Sequence, residues 1–291
     1  MQATRTFSHS GSGIFLMCAG IACIAINDAF AKVLTEGYAP VQILFLRNIL
    51  ALPFALVVVL LLRGKTAVSS RRPLAHLLRG AFWTCAATFY FTGLKYLNLA
   101  EATALTFSAP IFIISLSSLF LGEHVGWRRG TAVIIGFVGV LIVVRPGSAA
   151  FQPAALFPVG AALFYALLMI GSRWVDPRES VWTVMLWLVG AGALISALFA
   201  PFYWTPVQYE DLWRFGAIAV FGTAGMTLIT QAFRFSEASI VANFEYTGLI
   251  WATLLGWLIW REVPDLATFV GAAVIVFSGA FIVYREGQMK V

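Results

Sequence analysis

The fold is decided by two similar stretches of the chain, GLKYLNLAEATALTFSAPIFIISLSSLFLGE at residues 93–123 and AFRFSEASIVANFEYTGLIWATLLGWLIWRE at residues 232–262. They align without gaps at a constant offset of 139 residues, which places Glu123 opposite Glu262. Identical residues are few, but the order of features is the same in both. Each stretch has a short connection, then an apolar helix, then a closing glutamate. This pattern indicates an internal repeat.

Along the whole sequence, including these two stretches, apolar runs broken by charged residues, Pro or Gly predict ten membrane-spanning helices. Each run is close to the roughly 20 apolar residues that cross a bilayer as a helix. The two stretches then supply the fourth span of each five-helix half, and an odd number of spans gives the halves opposite orientations. We therefore predict an all-α integral membrane protein, with ten transmembrane helices arranged as two inverted five-helix repeats, residues 1–149 and 150–291. The predicted spans are 14–34, 41–62, 75–95, 101–121, 129–145, 154–174, 181–200, 213–233, 238–260 and 265–284.

The composition agrees with this fold class. Hydrophobic residues make up 60% of the 291 positions and charged residues only 11%, whereas soluble domains carry about 25% charged residues. The net charge of +6 comes from basic residues in short loops. It is therefore interpreted as a topology signal, and nucleic acid is not an expected partner.

The distribution of Lys and Arg predicts the orientation. Of the 19 Lys and Arg residues, 13 fall on the side of the termini, 4 fall on the opposite side, and Lys32 and Arg47 fall within spans. Because cytoplasmic loops are enriched in Lys and Arg, both termini are expected to be cytoplasmic.

Charged residues inside spans are the first candidates for a transport site, since such charges usually face a cavity or a partner. Asp28 lies about 6 Å beyond the centre of the first span, and Arg47 lies about 7 Å from the centre of the second span on the same side. We predict that Asp28 contacts Arg47, either as an ionic substrate site or as a structural pair. Lys32 is expected nearer the outer surface, with its ammonium reaching toward the interface.

The ninth span provides a second group of candidates, Glu245 and Tyr246 with Asn243 close by. At the offset of 139 residues, Glu245 corresponds to Thr106 in the fourth span. Glu245 could bind a substrate ammonium or carry a coupling proton, or it could hydrogen-bond a neighbouring helix. Pro110 is expected to kink the fourth span, because it removes a backbone hydrogen bond.

Aromatic residues make up 15% of the chain. Many are expected in belts at the two membrane interfaces. Trp83, Tyr90, Tyr165 and Trp187 lie deeper in their spans, where they could line a hydrophobic cavity and stack on a ligand. Lipid contact and core packing are the alternatives for each of them.

Signatures of enzymes and cofactors are missing from the sequence. It contains no Gly-rich phosphate loop, and the three cysteines lie in apolar stretches without metal-ligand spacing. The three histidines fall in terminal or connecting positions. We predict no catalytic residues, no metal and no cofactor.

The two five-helix halves, the short turns into the fourth and ninth spans, and the glutamates that close those spans resemble the drug/metabolite transporter superfamily, specifically its ten-helix EamA type. The opening Asn27-Asp28-Ala29-Phe30-Ala31-Lys32, Arg47 and Leu78-Arg79-Gly80 are similar to segments of its aromatic amino-acid exporters and its S-adenosylmethionine uptake carriers. The resemblance implies a central cavity bounded by helices three, four, eight and nine, with helices five and ten at the periphery.

The resemblance also implies a function. The expected protein is a multi-pass secondary transporter of the bacterial inner membrane that works by alternating access on a small-molecule substrate. Export of amino acids, including aromatic ones, is the leading expectation, and uptake of S-adenosylmethionine or a similar cationic metabolite is the alternative. A structural or sensory membrane subunit is the rival from another class. Monomer and homodimer both remain open.

Overall fold

The regular structure in the described part of the chain is helical. The computed structural model describes residues 3–121, 127–147, 151–176, 178–235 and 242–288. Short 3-10 helices, including Lys65–Val68 and Ala242–Thr247, lie between the α-helices. The α-helices are α1 (Ala3–Leu34), α2 (Pro40–Arg63), α3 (Pro73–Tyr96), α4 (Leu99–Thr106), α5 (Ala109–Leu121), α6 (Trp127–Val144), α7 (Leu156–Gly171), α8 (Val181–Phe199), α9 (Leu212–Phe235), α10 (Gly248–Trp260) and α11 (Leu266–Gln288).

These helices form the predicted ten-span membrane fold. Among the described residues, six stretches are long and apolar enough to cross a membrane, and two shorter apolar helices lie in α6 and α11. The fourth span consists of α4 and α5, and the ninth consists of the 3-10 helix Ala242–Thr247 followed by α10. The helix α1 begins at Ala3, well before the predicted start of the first span, because its early residues are polar but still helical.

The fourth and ninth spans are both irregular at equivalent positions. The fourth span breaks at Phe107 and Ser108, just before Pro110, as expected when a proline ring displaces the preceding turn. The ninth span changes from 3-10 to α-helix after Thr247, which corresponds to Ser108 at the offset of 139 residues. Two interrupted spans at matching places in two halves are typical of transporters built from inverted repeats.

Most packing occurs between the two halves. The first span packs against the eighth, and the third packs against the sixth. Because the repeat relates the first span to the sixth and the third to the eighth, it converts each of these two pairs into the other. The second span packs against the seventh and the fifth against the tenth, so each of these pairs maps onto itself. The structure thus has the approximate two-fold relation that two repeats require.

Glycines allow the closest of these crossings. A Cβ added at Gly20 of α1 would lie 2.8 Å from Ile229 of α9, and one added at Gly225 would lie 2.9 Å from the Gly20 carbonyl oxygen. The fifth and tenth spans meet in the same way at Gly139 and Gly271. Small residues at these contacts let helix backbones approach in a membrane, where van der Waals packing drives helix association.

Hydrogen bonds between the halves tie both ends of the bundle. At the end away from the termini, Tyr38 donates to Asp211 at 2.7 Å. The Gln42 side-chain amide exchanges two hydrogen bonds with the backbone of Thr205, at 2.7 and 2.9 Å. At the end of the termini, Glu179 accepts from the Ser70 hydroxyl at 2.7 Å.

Candidate functional site

The carboxylate of Asp28 lies where the first, third and fourth spans meet. It accepts hydrogen bonds from the side-chain amide of Asn27 at 2.9 Å and from the Tyr90 hydroxyl at 3.1 Å. The Tyr90 hydroxyl is also 3.3 Å from the Thr103 hydroxyl, which in turn donates to the Leu99 carbonyl at 2.8 Å. These contacts hold Asp28 in a fixed orientation, yet the residue remains half-buried rather than enclosed.

Arg47 of α2 lies beside this cluster. Its guanidinium carbon is 5.6 Å from the centre of the Trp83 ring, a cation–π geometry, and it interacts electrostatically with Asp28. Among the described residues, neither a hydrogen bond nor a direct ion pair joins Arg47 to a protein group. The predicted contact with Asp28 is therefore a through-space interaction, with the hydrogen bonds of Asp28 going to Asn27 and Tyr90 instead.

Gly222 of α9 makes room for the guanidinium. A Cβ added at this glycine would lie 2.7 Å from Arg47 Nη2 and 2.7 Å from Asn27 Oδ1. Both distances are shorter than van der Waals contact, so a larger residue at this position would displace one of the two polar groups. The absence of a side chain at Gly222 thus leaves room for Arg47 Nη2 and Asn27 Oδ1 on the same side of α9.

Two buried asparagines carry polar atoms without a hydrogen-bond partner among the described residues. They are Asn27 Oδ1 and Asn48 Nδ2. Asn48 follows Arg47 directly and lies against Gly192 of α8. Unpaired buried polar atoms cost free energy, typically about 1–3 kcal/mol each. Their presence next to Arg47 supplies one further acceptor and one further donor for a polar ligand.

Glu245 lies in the 3-10 segment of the ninth span, and it interacts electrostatically with Tyr165 of α7 and with Tyr246. It is half-buried. The Tyr246 ring meets the Phe107 ring of the fourth span edge to face, with centroids 5.2 Å apart. Because Phe107 belongs to the first half, Glu245 lies next to the contact between the halves.

The remaining candidates are distributed around these two groups. The Thr106 hydroxyl donates to the Thr103 carbonyl at 2.7 Å, so its proton is used within its own helix. Pro110 is the second residue of α5, at the break in the fourth span. Asn243 belongs to the 3-10 segment, but its side chain lies outside the described part of the chain, as does Glu123.

A family of transporters matches both halves of the chain. The model of the EamA-like transporter family matches residues 11–145 and again residues 152–285. The chain belongs to the EamA-like transporter family. This membership places it with transporters rather than enzymes, and the multi-pass fold agrees with the expected inner-membrane location.

Several proteins of known name resemble this EamA-like transporter over nearly their whole length. An S-adenosylmethionine uptake transporter of Rickettsia bellii is 30% identical and aligns with 98% of this chain and 97% of its own. The pseudopaline exporter CntI of Pseudomonas aeruginosa is 27% identical over 92% and 94% of the two chains. A riboflavin transporter of Vibrio cholerae is 28% identical over 94% and 93%.

A solved structure supports the fold of this EamA-like transporter. One crystal structure superposes with a TM-score of 0.64 and covers 97% of this chain and 99% of its own. The sequence identity is 20%, so the likeness bears on the fold alone.

Trp187 of this EamA-like transporter lies apart from the polar cluster. Its indole N–H donates to the Val68 carbonyl at 3.0 Å, and its ring stacks on His76 with centroids 5.5 Å apart. It also lines an apolar groove of about 370 Å³ between α2, α3 and α8. The structure therefore does not bring Trp187 together with Asp28, Arg47, Trp83 and Tyr90.

Two sequence-based expectations are wrong. Lys32 does not extend toward the interface: it is buried, and its ammonium binds both Glu262 oxygens at 2.8 and 2.6 Å and the Leu97 carbonyl at 3.0 Å. His76 is not a connecting residue, because α3 begins at Pro73 and buries its side chain, as it does that of Arg79. His76 instead meets Glu179 at 2.7 Å.

Several residues of the site were not predicted from the sequence because they are uncharged. Asn27, Asn48, Thr103 and Gly222 carry no charge that would distinguish them in an apolar span. A usable signal did exist for the two asparagines. Each directly neighbours an ionisable residue within a span, Asp28 or Arg47, and amides beside a buried charge often supply its hydrogen bonds.

Proposed function

We propose that this transporter carries metabolites with an α-amino-acid head group, and that S-adenosylmethionine is its first candidate cargo. The observation that carries this proposal is the arrangement of Asp28 beside Arg47. An amino-acid head group presents an ammonium and a carboxylate a few bonds apart. A fixed carboxylate next to a guanidinium offers a partner of opposite charge to each.

The geometry assigns different roles to the two charged residues. Arg47 is held by Trp83 and leaves its donors unused by the protein, so it can form paired hydrogen bonds to a carboxylate. Asp28 is oriented by Asn27 and Tyr90 and can accept from an ammonium. Because the effective dielectric constant inside a protein is lower than that of water, both charge-assisted hydrogen bonds are stronger than they would be at a surface.

The rest of the cargo is expected to contact aromatic side chains. Trp83 lies next to Arg47, and the Phe107–Tyr246 pair lies at the contact of the halves. Aromatic faces stack on an adenine ring and also attract a sulfonium cation. Four rickettsial relatives named as S-adenosylmethionine uptake transporters, at 28–30% identity over 98% of this chain, favour this cargo and an inward direction.

Aromatic amino acids, moved outward, are the second candidate. They share the head group that Asp28 and Arg47 would bind, and their rings could occupy the aromatic surroundings in place of adenine. They lack the sulfonium, so they gain less from the cation–π surface of Trp83. The two cargoes therefore predict a measurable order of affinity.

Counterflow in proteoliposomes tests this proposal. Vesicles loaded with unlabelled S-adenosylmethionine should take up the labelled compound, whereas empty vesicles with the purified protein and loaded vesicles without it should not. Loading with phenylalanine, tryptophan or riboflavin in place of S-adenosylmethionine ranks the cargoes. Counterflow with riboflavin, and with no compound that carries an amino-acid head group, would overturn the proposal.

We further propose that the halves comprise residues 1–149 and 150–291, that both termini are cytoplasmic, and that the halves rock about the site during transport. The bias of Lys and Arg toward the loops on the side of the termini supports the orientation. Fusions of a fluorescent protein to the C-terminus, which fluoresce only in the cytoplasm, should be bright. A bright periplasmic reporter at the same place would contradict the orientation.

A further inference from the structure

Glu245 differs from Asp28 in its surroundings. Asp28 receives two hydrogen bonds and the electrostatic attraction of Arg47. Glu245 has no hydrogen bond and no ion pair within the described residues, and the groups that it influences are the phenols of Tyr165 and Tyr246. The site thus holds one acid that is balanced by a base and a second acid that is not.

The elements packed against Glu245 bring no described base toward it. The first span presents Ile21 and Met17 to the neighbouring Phe244, and α11 presents Gly279 to the Tyr246 hydroxyl. The helix α10 contains no titratable residue. Besides the two tyrosines, the titratable residues of the packed helices are Arg5, His9, Cys18, Cys23, Asp28 and Lys32 on α1 and Tyr284, Arg285 and Glu286 on α11. The side chains of Arg5, His9 and the three residues of α11 lie outside the described part.

An unpaired carboxylate at this position has two stable forms. When surrounded by protein and lipid it is stable as the neutral acid, because an isolated ionised carboxylate is very costly in a low dielectric. When water reaches it, the proton can leave. Glu245 is half-buried beside the contact of the halves, where a rocking motion would alternate between these two environments.

We propose that Glu245 is a proton-binding site that couples the transport cycle to the pH gradient, with one proton bound and released per cycle. The inference rests on the carrier function proposed above, but not on the identity of its cargo. The balanced Asp28–Arg47 pair is left to bind the cargo. The proton enters the Glu245 carboxylate from the water on one side and leaves it to the water on the other.

Accumulation driven by a pH gradient, compared with counterflow, tests the coupling. The labelled cargo is the one that gives counterflow, and valinomycin with potassium clamps the membrane potential. With one proton per cycle, a gradient of one pH unit supports at most about tenfold accumulation. The normal protein should accumulate cargo, and the sign of the effective gradient distinguishes symport from exchange.

Two variants complete the test. Glu245→Gln should keep counterflow within about twofold of the normal rate but lose accumulation driven by the pH gradient. Glu101→Gln is the matched control, because Glu101 is also a half-buried acid of an interrupted span but lies near the bundle end, and it should keep both activities. Accumulation that survives in Glu245→Gln, or a normal protein that shows counterflow without any accumulation, would overturn the proposal.

A second measurement does not depend on cargo. Dicyclohexylcarbodiimide modifies protonated carboxyl groups in apolar surroundings, so mass spectrometry of the treated protein should find the adduct on Glu245. The yield should fall as the pH rises. Failure to label Glu245 at any pH would refute the proposal even if transport is normal. Labelling without counterflow of any cargo would show that Glu245 binds a proton, but it would refute the proposed function and, with it, the coupling.

Discussion

The ammonium of Lys32 lies 2.8 and 2.6 Å from the two carboxylate oxygens of Glu262, which joins the first span of one half to the end of the ninth span of the other. The Trp260 ring lies 4.7 Å from the same ammonium. The pair is largely shielded, since 10% of the Lys32 side chain and 24% of the Glu262 side chain are exposed. It therefore fastens the two halves at the end away from the termini.

Removing one partner of this pair should destabilise the protein. Lys32→Met leaves the Glu262 carboxylate without its counter-charge, and we expect a loss of about 2 kcal/mol, between the values typical of exposed and of buried pairs. The measurement is the thermal unfolding of the purified protein in detergent. Lys95→Met, which removes an exposed lysine of α3, is the control. Equal melting temperatures for the two variants would show that the pair does not stabilise the fold.

Asp28→Asn should lower transport without unfolding the protein. The substitution keeps the shape of the side chain but removes the charge that an ammonium requires. Loss of one charge-assisted hydrogen bond of about 2 kcal/mol corresponds to about a 30-fold lower kcat/KM. Initial rates of counterflow measure this effect, with Glu36→Gln in an exposed turn as the control. A folded Asp28→Asn protein with normal rates would leave Asp28 a structural role only.

Gly222→Ala should impair cargo binding more than stability. The added methyl group would occupy the space next to the Arg47 guanidinium and Asn27 Oδ1. Because the end of an arginine side chain can move, the fold is expected to adapt while the donors leave their positions. We expect KM to rise by about tenfold with little change in melting temperature. Gly216→Ala on the same helix meets no atom within 4 Å and should behave normally.

Acidification should remove the contribution of Glu179 to stability. Burial raises the pKa of this carboxyl group, but hydrogen bonds from His76, Ser70 and the Arg71 N–H outweigh burial, so its pKa is lowered overall from 4.5. A lowered pKa in the folded state means that the contribution is complete above pH 4.5 and is lost as the pH falls below that value. His76 faces this carboxylate directly.

The comparison of Glu179→Gln with the normal protein measures this contribution. Their difference in melting temperature should be largest near pH 7 and should shrink as the pH falls toward about 3. Glu210→Gln, at an exposed position, provides the control and should differ little from the normal protein throughout. A difference that grows on acidification would contradict the assignment.

The sequence was sufficient to predict where the spans lie and that Asp28 and Arg47 lie near each other. Apolar runs locate helices in a membrane because the bilayer requires them. The helical rise placed Asp28 and Arg47 at one depth, because depth depends only on the position of a residue within its own span. The break before Pro110 follows from the geometry of proline alone.

Partners distant in sequence could not be predicted in the same way. Lys32 and Glu262 are 230 positions apart, and their contact depends on how the first and ninth spans pack. His76 lies at the start of the third span, and its burial depends on Glu179, a contact 103 positions away in the sequence. The guanidinium of Arg47 could be placed by depth, but the space that Gly222 leaves for it arises only from the crossing of α2 and α9.

The packing of the first span on the eighth and of the third on the sixth bears on how the protein is made. Spans enter the membrane in the order of synthesis, so the first five are inserted before most of their neighbours exist. Until the second half follows, surfaces such as the Gly20 face of α1 have only lipid against them. A half produced alone is therefore expected to be a substrate for quality-control proteases, and the two halves produced as separate chains should protect each other from degradation.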